Sequence, residues 1–284
     1  MSQRDQVVLV TGASSGIGYA TALAFAERGA RVVGVARREE RLRELMERCR
    51  AHAPESFHLV GDLGEREVAE GVVEETLARC GRLDVLVNNA GMTKHKHLYH
   101  TSPDEAERVM RVNFLSCVWT TCAAIPAMLR QGSGTIVNVS SFASRVVPPR
   151  EPFYAASKAA MDAFTEGLWS ELEGSGIHAG LVVVGPIDTE IWDKLEEPPA
   201  FRGRRYPPRV VTDAIFEVVA KRRHEVTAPR RNPQLALARL LRLLAPGLVR
   251  RGVRRMDPVS RGVVEAARRR AEQGLRLGQG VAPE

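Results

Sequence analysis

Short, mainly apolar runs alternate with longer stretches in which apolar residues recur every three or four positions. Val7 to Val10, Arg31 to Ala36, Phe57 to Gly61, Leu83 to Val87, Thr135 to Val139 and Ile177 to Val184 read as strands covered on both faces. Helical spacing between them predicts helices over Tyr19 to Arg28, Glu39 to Ala51, Glu65 to Cys80, Pro103 to Arg130, Ala155 to Leu172 and Val210 to Arg222. Gly29 closes the first of these, and Pro103 lies in the first turn of the fourth. Glu225 to Ala228 reads as a last edge strand, and Phe142 to Phe153 as a loop. Strand and helix alternating at this length specify an α/β fold, a doubly wound parallel sheet of about seven strands. Ligands of such sheets lie beyond the carboxyl ends of the strands, where Gly12 to Gly18, Asp62 and Asn88 to Gly91 all fall.

The first strand runs into Thr11-Gly-Ala-Ser-Ser-Gly-Ile-Gly18. Gly12, Gly16 and Gly18 permit a tight turn and close backbone approach, and the helix that follows offers free N–H groups to a pyrophosphate. A glycine-rich turn alone is weak evidence, but one set between a strand and a helix points to a Rossmann-type dinucleotide site. At the end of the second strand, where NAD-selective proteins of this type carry an acid for the ribose, stand Ala36, Arg37 and Arg38. No carboxylate repels a 2′-phosphate there and a guanidinium is available to bind one, which favours NADP(H) over NAD. Two solvated arginines at a helix start are the alternative reading.

Tyr154 and Lys158 stand four residues apart at the start of a helical pattern, thirteen residues beyond Ser141. On one helix face an ammonium favours the phenolate, so the pKa of Tyr154 is expected to fall towards the working pH, as general acid–base catalysis requires. Ser141 would hydrogen-bond the oxygen on which charge changes. Asn113 has apolar neighbours inside a predicted helix, so its amide is expected to be buried and to find partners.

These motifs together resemble the short-chain dehydrogenase/reductase family: Thr11 to Gly18, Asn88-Asn-Ala-Gly91, Asn113, Ser141 and Tyr154-Ala-Ala-Ser-Lys158, in the family's order, over roughly residues 5–228. Val112-Asn-Phe-Leu-Ser116 and Gly185-Pro-Ile-Asp-Thr-Glu190 are similar to the branch that contains the hydroxysteroid dehydrogenases. The resemblance implies that Tyr154 is the acid–base, that Ser141 orients the substrate oxygen, that Lys158 holds the nicotinamide ribose and lowers the pKa of Tyr154, and that Asn113 holds a water in a proton relay. It implies a cofactor site lined by Gly12, Ser14, Ser15, Gly16, Ile17, Gly18, Asp62, Leu63, Asn89, Ala90 and Gly91. Arg37, with Arg38 beside it, would take the 2′-phosphate, while Pro186, Ile187 and Thr189 would meet the carboxamide or pyrophosphate. The family commonly has Pro-Gly after the sixth strand. Here the run is Val184-Gly185-Pro186, and similar runs without the first proline occur in the hydroxysteroid branch, so the departure does not imply loss of function. The implied activity is interconversion of a secondary alcohol and a ketone or aldehyde on a lipophilic substrate. A non-catalytic NADP(H)-binding sensor or scaffold of the same fold is the alternative. A homodimer or homotetramer is implied by analogy.

Composition adds location. The formal charge of +7 is uneven, because residues 230–276 hold thirteen arginines against Asp257, Glu265 and Glu272, a net +10 that leaves the remainder at −3. The chain thus divides into an enzyme-like body, residues 1–229, and a basic tail, residues 230–284. In the tail Leu237, Leu240, Leu241, Leu244 and Leu248 recur at helical spacing opposite arginines, with Pro246 expected to divide the element. Protein docking and anionic-lipid contact are both open for it. Nucleic acid is disfavoured, since no aromatic stacking residue accompanies the arginines. No run approaching a membrane span, no room for a signal peptide and four cysteines without metal or disulfide spacing lead to the expectation of a cytoplasmic protein that holds no metal. Ile191 to Pro208 is expected to form a lid, in which Trp192, Leu195, Phe201 and Tyr206 either line an apolar pocket or pack on the body. His95, Lys96, His97 and His100 are expected in a solvated loop at its mouth.

Overall fold

The computed structural model of the chain describes residues 5–195, 203–230, 233–256 and 258–278. Seven parallel strands make one sheet: β1 (Val7–Thr11), β2 (Arg31–Ala36), β3 (Phe57–Val60), β4 (Val85–Asn88), β5 (Gly134–Ser141), β6 (Ile177–Val184) and β7 (Glu225–Ala228). Their order is β3-β2-β1-β4-β5-β6-β7, so the winding reverses between β1 and β4. Val10 pairs in register with Gly34 on one side and Val87 on the other, which places Gly12 and Asn89 at the mouth of that reversal.

The alternation of side chains along each strand builds two cores. Val8 and Val10 face α1 (Gly16–Ala26), α2 (Glu39–Arg50) and α7 (Arg209–Lys221), where Phe25, Leu42, Met46 and Ile215 are fully buried. Val7 and Leu9 face α3 (Arg66–Cys80), α5 (Ser116–Gln131) and α6 (Pro152–Glu171), packing with Val73, Met128 and Leu168. β7 closes the edge, as its sequence predicts.

The helix expected over Pro103 to Arg130 is three pieces in one run: α4 (Pro103–Met110), a π-helical turn over Arg111–Leu115, and α5. A capping box between Ser102 and Glu105 starts it. Contrary to the reading of the sequence alone, this run is long and apolar enough to cross a bilayer, but it is a core helix against the sheet, with Asn113 and Thr120 fully buried. α1 begins at Gly16 rather than Tyr19, so the glycine turn itself forms the helix N-terminus. Phe142–Ser144 is a 3₁₀ turn within the expected loop. Pro246 does divide the tail, into α8 (Pro233–Leu244) and α9 (Pro246–Met256), and α10 (Arg261–Glu272) follows.

Candidate active site

The crevice at the reversal is stitched by Thr11. Its hydroxyl donates to the Val87 carbonyl (3.2 Å) and accepts from the N–H groups of Asn89 (2.9 Å) and Ala90 (3.0 Å). The Asn89 amide in turn donates to the Thr11 carbonyl at 2.9 Å. Gly12 has φ +68°, and a Cβ there would stand 2.9 Å from the Ala90 Cα, a backbone atom that cannot yield. A Cβ on Gly18 would overlap the Gly12 carbonyl, and one on Gly16 (φ +56°) would lie 3.0 Å from the Thr189 methyl. Glycines therefore let the turn after β1 close tightly on the Asn88–Gly91 segment and on the loop after β6, and these three bound a cradle at the mouth of the crevice. Half-buried Ser15 and Ile17 border it, and Ser14 is buried. Leu63 and Ile187 are buried in the two cores, while the Pro186 carbonyl accepts from the N–H of Tyr206.

Arg38, more than Arg37, reaches this cradle. Its guanidinium donates to Ser15 Oγ (2.6 Å) and Ser14 Oγ (3.2 Å) and pairs with Glu190 (2.8 Å). Arg37 is largely exposed and lies 3.9 Å from Asp62. Burial alone would raise the Asp62 pKa, but the Gly64 N–H, Arg108 and Arg37 together hold it below its usual value.

Ser141, at the end of β5, accepts from the Ala143 N–H (3.2 Å) and hydrogen-bonds the Tyr154 phenol in the first turn of α6. One turn on, buried Lys158 donates from Nζ to the Val139 carbonyl at 2.8 Å. The expected acidified phenol is not what this arrangement produces. Desolvation pushes Tyr154 up to about 12, against the Ser141 hydrogen bond and with help from Glu151. Desolvation also pulls Lys158 down to about 8, partly offset by Cys117 and Asp162. The Lys158 ammonium is turned to the β5 carbonyl, and burial sets the sign of the Tyr154 shift.

Asn113 is buried with partners, as expected, but they are protein groups. Oδ1 accepts from the Met92 N–H (2.8 Å), and Nδ2 donates to the Met92 carbonyl (2.9 Å) and Ser157 Oγ (3.0 Å). One Oδ1 lone pair is left. The π turn carries Asn113 beside Met92, and a Cβ on Gly91 would stand 3.5 Å from Asn113 Oδ1 and 3.7 Å from Lys158 Nζ.

Other functional groups escape a motif reading. Ser140 Oγ donates to the Asp162 carboxylate, whose pKa burial raises. Arg145 lies 3.2 Å from Asp162 and 2.7 Å from Glu225. The sequence signal was a polar stripe on a helix face that also carries Met161: Tyr154, Ser157, Lys158, Asp162 and Thr165, of which the last four are buried. Below the site Asn88, Asn138, Thr121 and Thr165 form a buried hydrogen-bonded ladder across β4, β5 and their helices.

At the mouth, the expected solvated loop is instead held by a histidine–carboxylate contact and by lysine ion pairs. His95 is only 5% exposed with Nδ1 3.2 Å from Glu151, and Lys94 and Lys96 lie 3.1 and 2.7 Å from Glu105. Of the lid residues, Tyr206 packs on the core beside α7, and Trp192 donates from its ring to the Ile187 carbonyl (2.6 Å). Leu195 is half-buried, and Phe201 lies outside the described residues.

A family model described as short chain dehydrogenase matches residues 6–200. Dehydrogenase/reductase SDR family member 7B of Bos taurus is 34% identical over 264 residues, covering 86% of this chain and 79% of that protein. The 11-beta-hydroxysteroid dehydrogenase 1A of Arabidopsis thaliana is 41% identical over 189 residues, 66% of this chain and 53% of the relative. Among solved structures, a short chain dehydrogenase/reductase from Burkholderia phymatum in complex with NAD superposes with a TM-score of 0.79 at 25% identity, covering 87% of this chain and 96% of its own. A metagenomic short-chain oxidoreductase in complex with NADP gives 0.70 at 29% identity, covering 80% and 98%. With a cradle shaped by glycine backbone and a Ser–Tyr–Lys set at its rim, the chain belongs to the short-chain dehydrogenase family, on the side of its hydroxysteroid dehydrogenase-like members.

Proposed function

We propose that this oxidoreductase uses NADP(H) to interconvert a secondary alcohol and a ketone or aldehyde on a lipophilic substrate. The observation that carries the reading is the meeting of Ser141, Tyr154, Lys158 and Gly91 at the rim of the glycine cradle. The cradle fits a dinucleotide because Gly12 and Gly16, both at positive φ, turn the chain sharply into α1, whose first N–H groups have no side-chain cap and can receive a pyrophosphate. Bound there, the nicotinamide would supply the hydride in reduction or accept it in oxidation.

The chain's own residues handle the proton. In reduction Tyr154 gives its phenolic proton to the carbonyl oxygen, and Ser141 steadies that oxygen with a hydrogen bond. In oxidation the same phenol takes the alcohol proton. A phenol raised to about 12 holds its proton in the resting protein, so the acid is ready for reduction. Lys158, near 8, can carry or release a proton close to neutrality, and it would hold the ribose hydroxyls. Arg38, backed by Ser14 and Ser15, supports NADP(H), since a guanidinium on two hydroxyls forms an anion pocket where an NAD-selective protein carries an acid. A homo-oligomer in a reducing, cytoplasmic setting accords with this reading.

A panel of long-chain, aromatic and steroid ketones, followed by loss of reduced-nicotinamide absorbance with the purified full chain, tests it. Turnover with NADPH on at least one ketone is expected. NADPH binding without turnover on any of them would favour the sensor or scaffold alternative.

A further inference from the structure

α8 is mounted with its charged side inward. Leu235 is buried, and on the same face Arg239 lies 3.5 Å from Glu225 while Arg242 donates to the Arg145 carbonyl. The opposite face is turned to water: Leu237 is 56% exposed, Leu240 51% and Leu244 71%. Beyond Pro246, Leu248 is 51% exposed on α9. Single exposed leucines need no explanation, but a stripe of them marks a surface with a partner. The reason for this orientation is electrostatic. Glu225 takes Arg239 and the Arg145 carbonyl takes Arg242, so the arginines of α8 face the body and the leucines are left outside.

The stripe runs into positive charge. Leu248, Arg251 and Arg255 share one face of α9 by their spacing of three and four. Arg251, Arg254 and Arg255, with Pro258 and Val259, line an open cavity of about 740 Å³. On α10, Arg261, Arg268 and Arg269 are also exposed. Guanidiniums around a cavity suit phosphate oxygens, and the leucines suit acyl chains. Both chemistries occur together in a leaflet of anionic phospholipid. A nucleic acid would meet no aromatic ring in the tail. A second copy could set only its own stripe against this one, which would bring two arginine clusters side by side, like charge against like.

We propose that α8–α10 is an interfacial docking surface for anionic phospholipid. Leu237, Leu240, Leu244 and Leu248 enter the boundary between headgroups and acyl chains, and Arg251, Arg254 and Arg255 hold headgroup phosphates. The inference rests on the tail alone and stands whether or not the proposed reaction is correct.

Flotation of the full chain with phosphatidylcholine vesicles, with and without phosphatidylglycerol, tests it. Binding is expected only with phosphatidylglycerol, weakening as salt rises. Leu240→Gln/Leu244→Gln alters two exposed side chains, leaves the fold intact, and should cut partitioning at least tenfold. Arg254→Gln/Arg255→Gln should cut it roughly 30-fold. Three results would overturn the proposal. The first is vesicle binding indifferent to the leucine pair. The second is inorganic phosphate binding in the arginine cavity with no vesicle association. The third is a solution mass that falls in the leucine variant while the native chain ignores vesicles, which would make the stripe a self-association surface.

Discussion

Arg38→Ala is the most informative change at the cofactor end of the site. Arg38 alone bridges Ser14, Ser15 and Glu190, at 3.2, 2.6 and 2.8 Å, and is 40% exposed on its side chain. A 2′-phosphate drawn to this guanidinium would compete with the Glu190 carboxylate for it. Hydrogen bonds to a charged partner contribute about 1.5–3 kcal/mol each when buried. Two of them, discounted for partial exposure, give about 2 kcal/mol. That is roughly 30-fold in NADPH affinity. NADH has no group to lose, so its affinity should be unchanged. Glu190→Gln should act in the opposite sense, strengthening NADPH a few-fold by freeing the guanidinium. Titration of nicotinamide fluorescence with each cofactor measures both ratios. If Arg38→Ala leaves the NADPH-to-NADH ratio untouched and Arg37→Ala lowers it, the discriminating guanidinium is Arg37 and the geometric reasoning fails.

Two further predictions follow from burial. Lys158 is drawn from 10.5 to about 8 in the folded chain, so at neutral pH it is a charged group whose burial costs stability. Between pH 8 and 10.5 the unfolded chain binds the proton that the folded chain has lost, and stability therefore rises with pH through this window. Relative to Lys158→Met, native stability should gain about 3 kcal/mol from pH 7 to above 10 in urea unfolding, and a flat difference would contradict the burial argument. Asn113→Ala strands the Met92 N–H and carbonyl and removes one donor from Ser157 Oγ, which keeps its own bond to the Tyr154 carbonyl. A loss of roughly 2–4 kcal/mol is expected in the same assay, and a loss below about 1 kcal/mol would mean that the amide does not brace the segment.

The inner strands were legible because a sheet covered on both faces demands mainly apolar runs such as Ile177–Val184, whereas Glu225–Ala228 alternates half-buried and buried positions at the sheet edge. Helix interiors were equally clear, but α1 begins at Gly16 because a glycine turn leaves no apolar period to mark its start. The π turn at Asn113 was hidden, since one inserted residue barely disturbs a helical pattern. The choice between Arg37 and Arg38 depends on which side of the strand end each faces, and neighbours in sequence do not reveal that. The pKa of Tyr154 went astray because spacing brought Lys158 near while burial, which spacing does not report, set the sign. The tail read as amphipathic from its leucines, yet only the docked structure shows Arg239 and Arg242 turned inward.

The phenol of Tyr154 is the group to which the proposed reaction assigns its proton. Tyr154→Phe removes one oxygen from a ring whose packing is otherwise kept, so NADPH should bind the variant with unchanged fluorescence enhancement. Single-turnover reduction of any ketone that the native chain accepts should fall by 10²-fold or more, the contribution of a positioned general acid. Rapid single-turnover reduction by that variant, at a rate near the native one, would contradict the assignment of the proton to Tyr154.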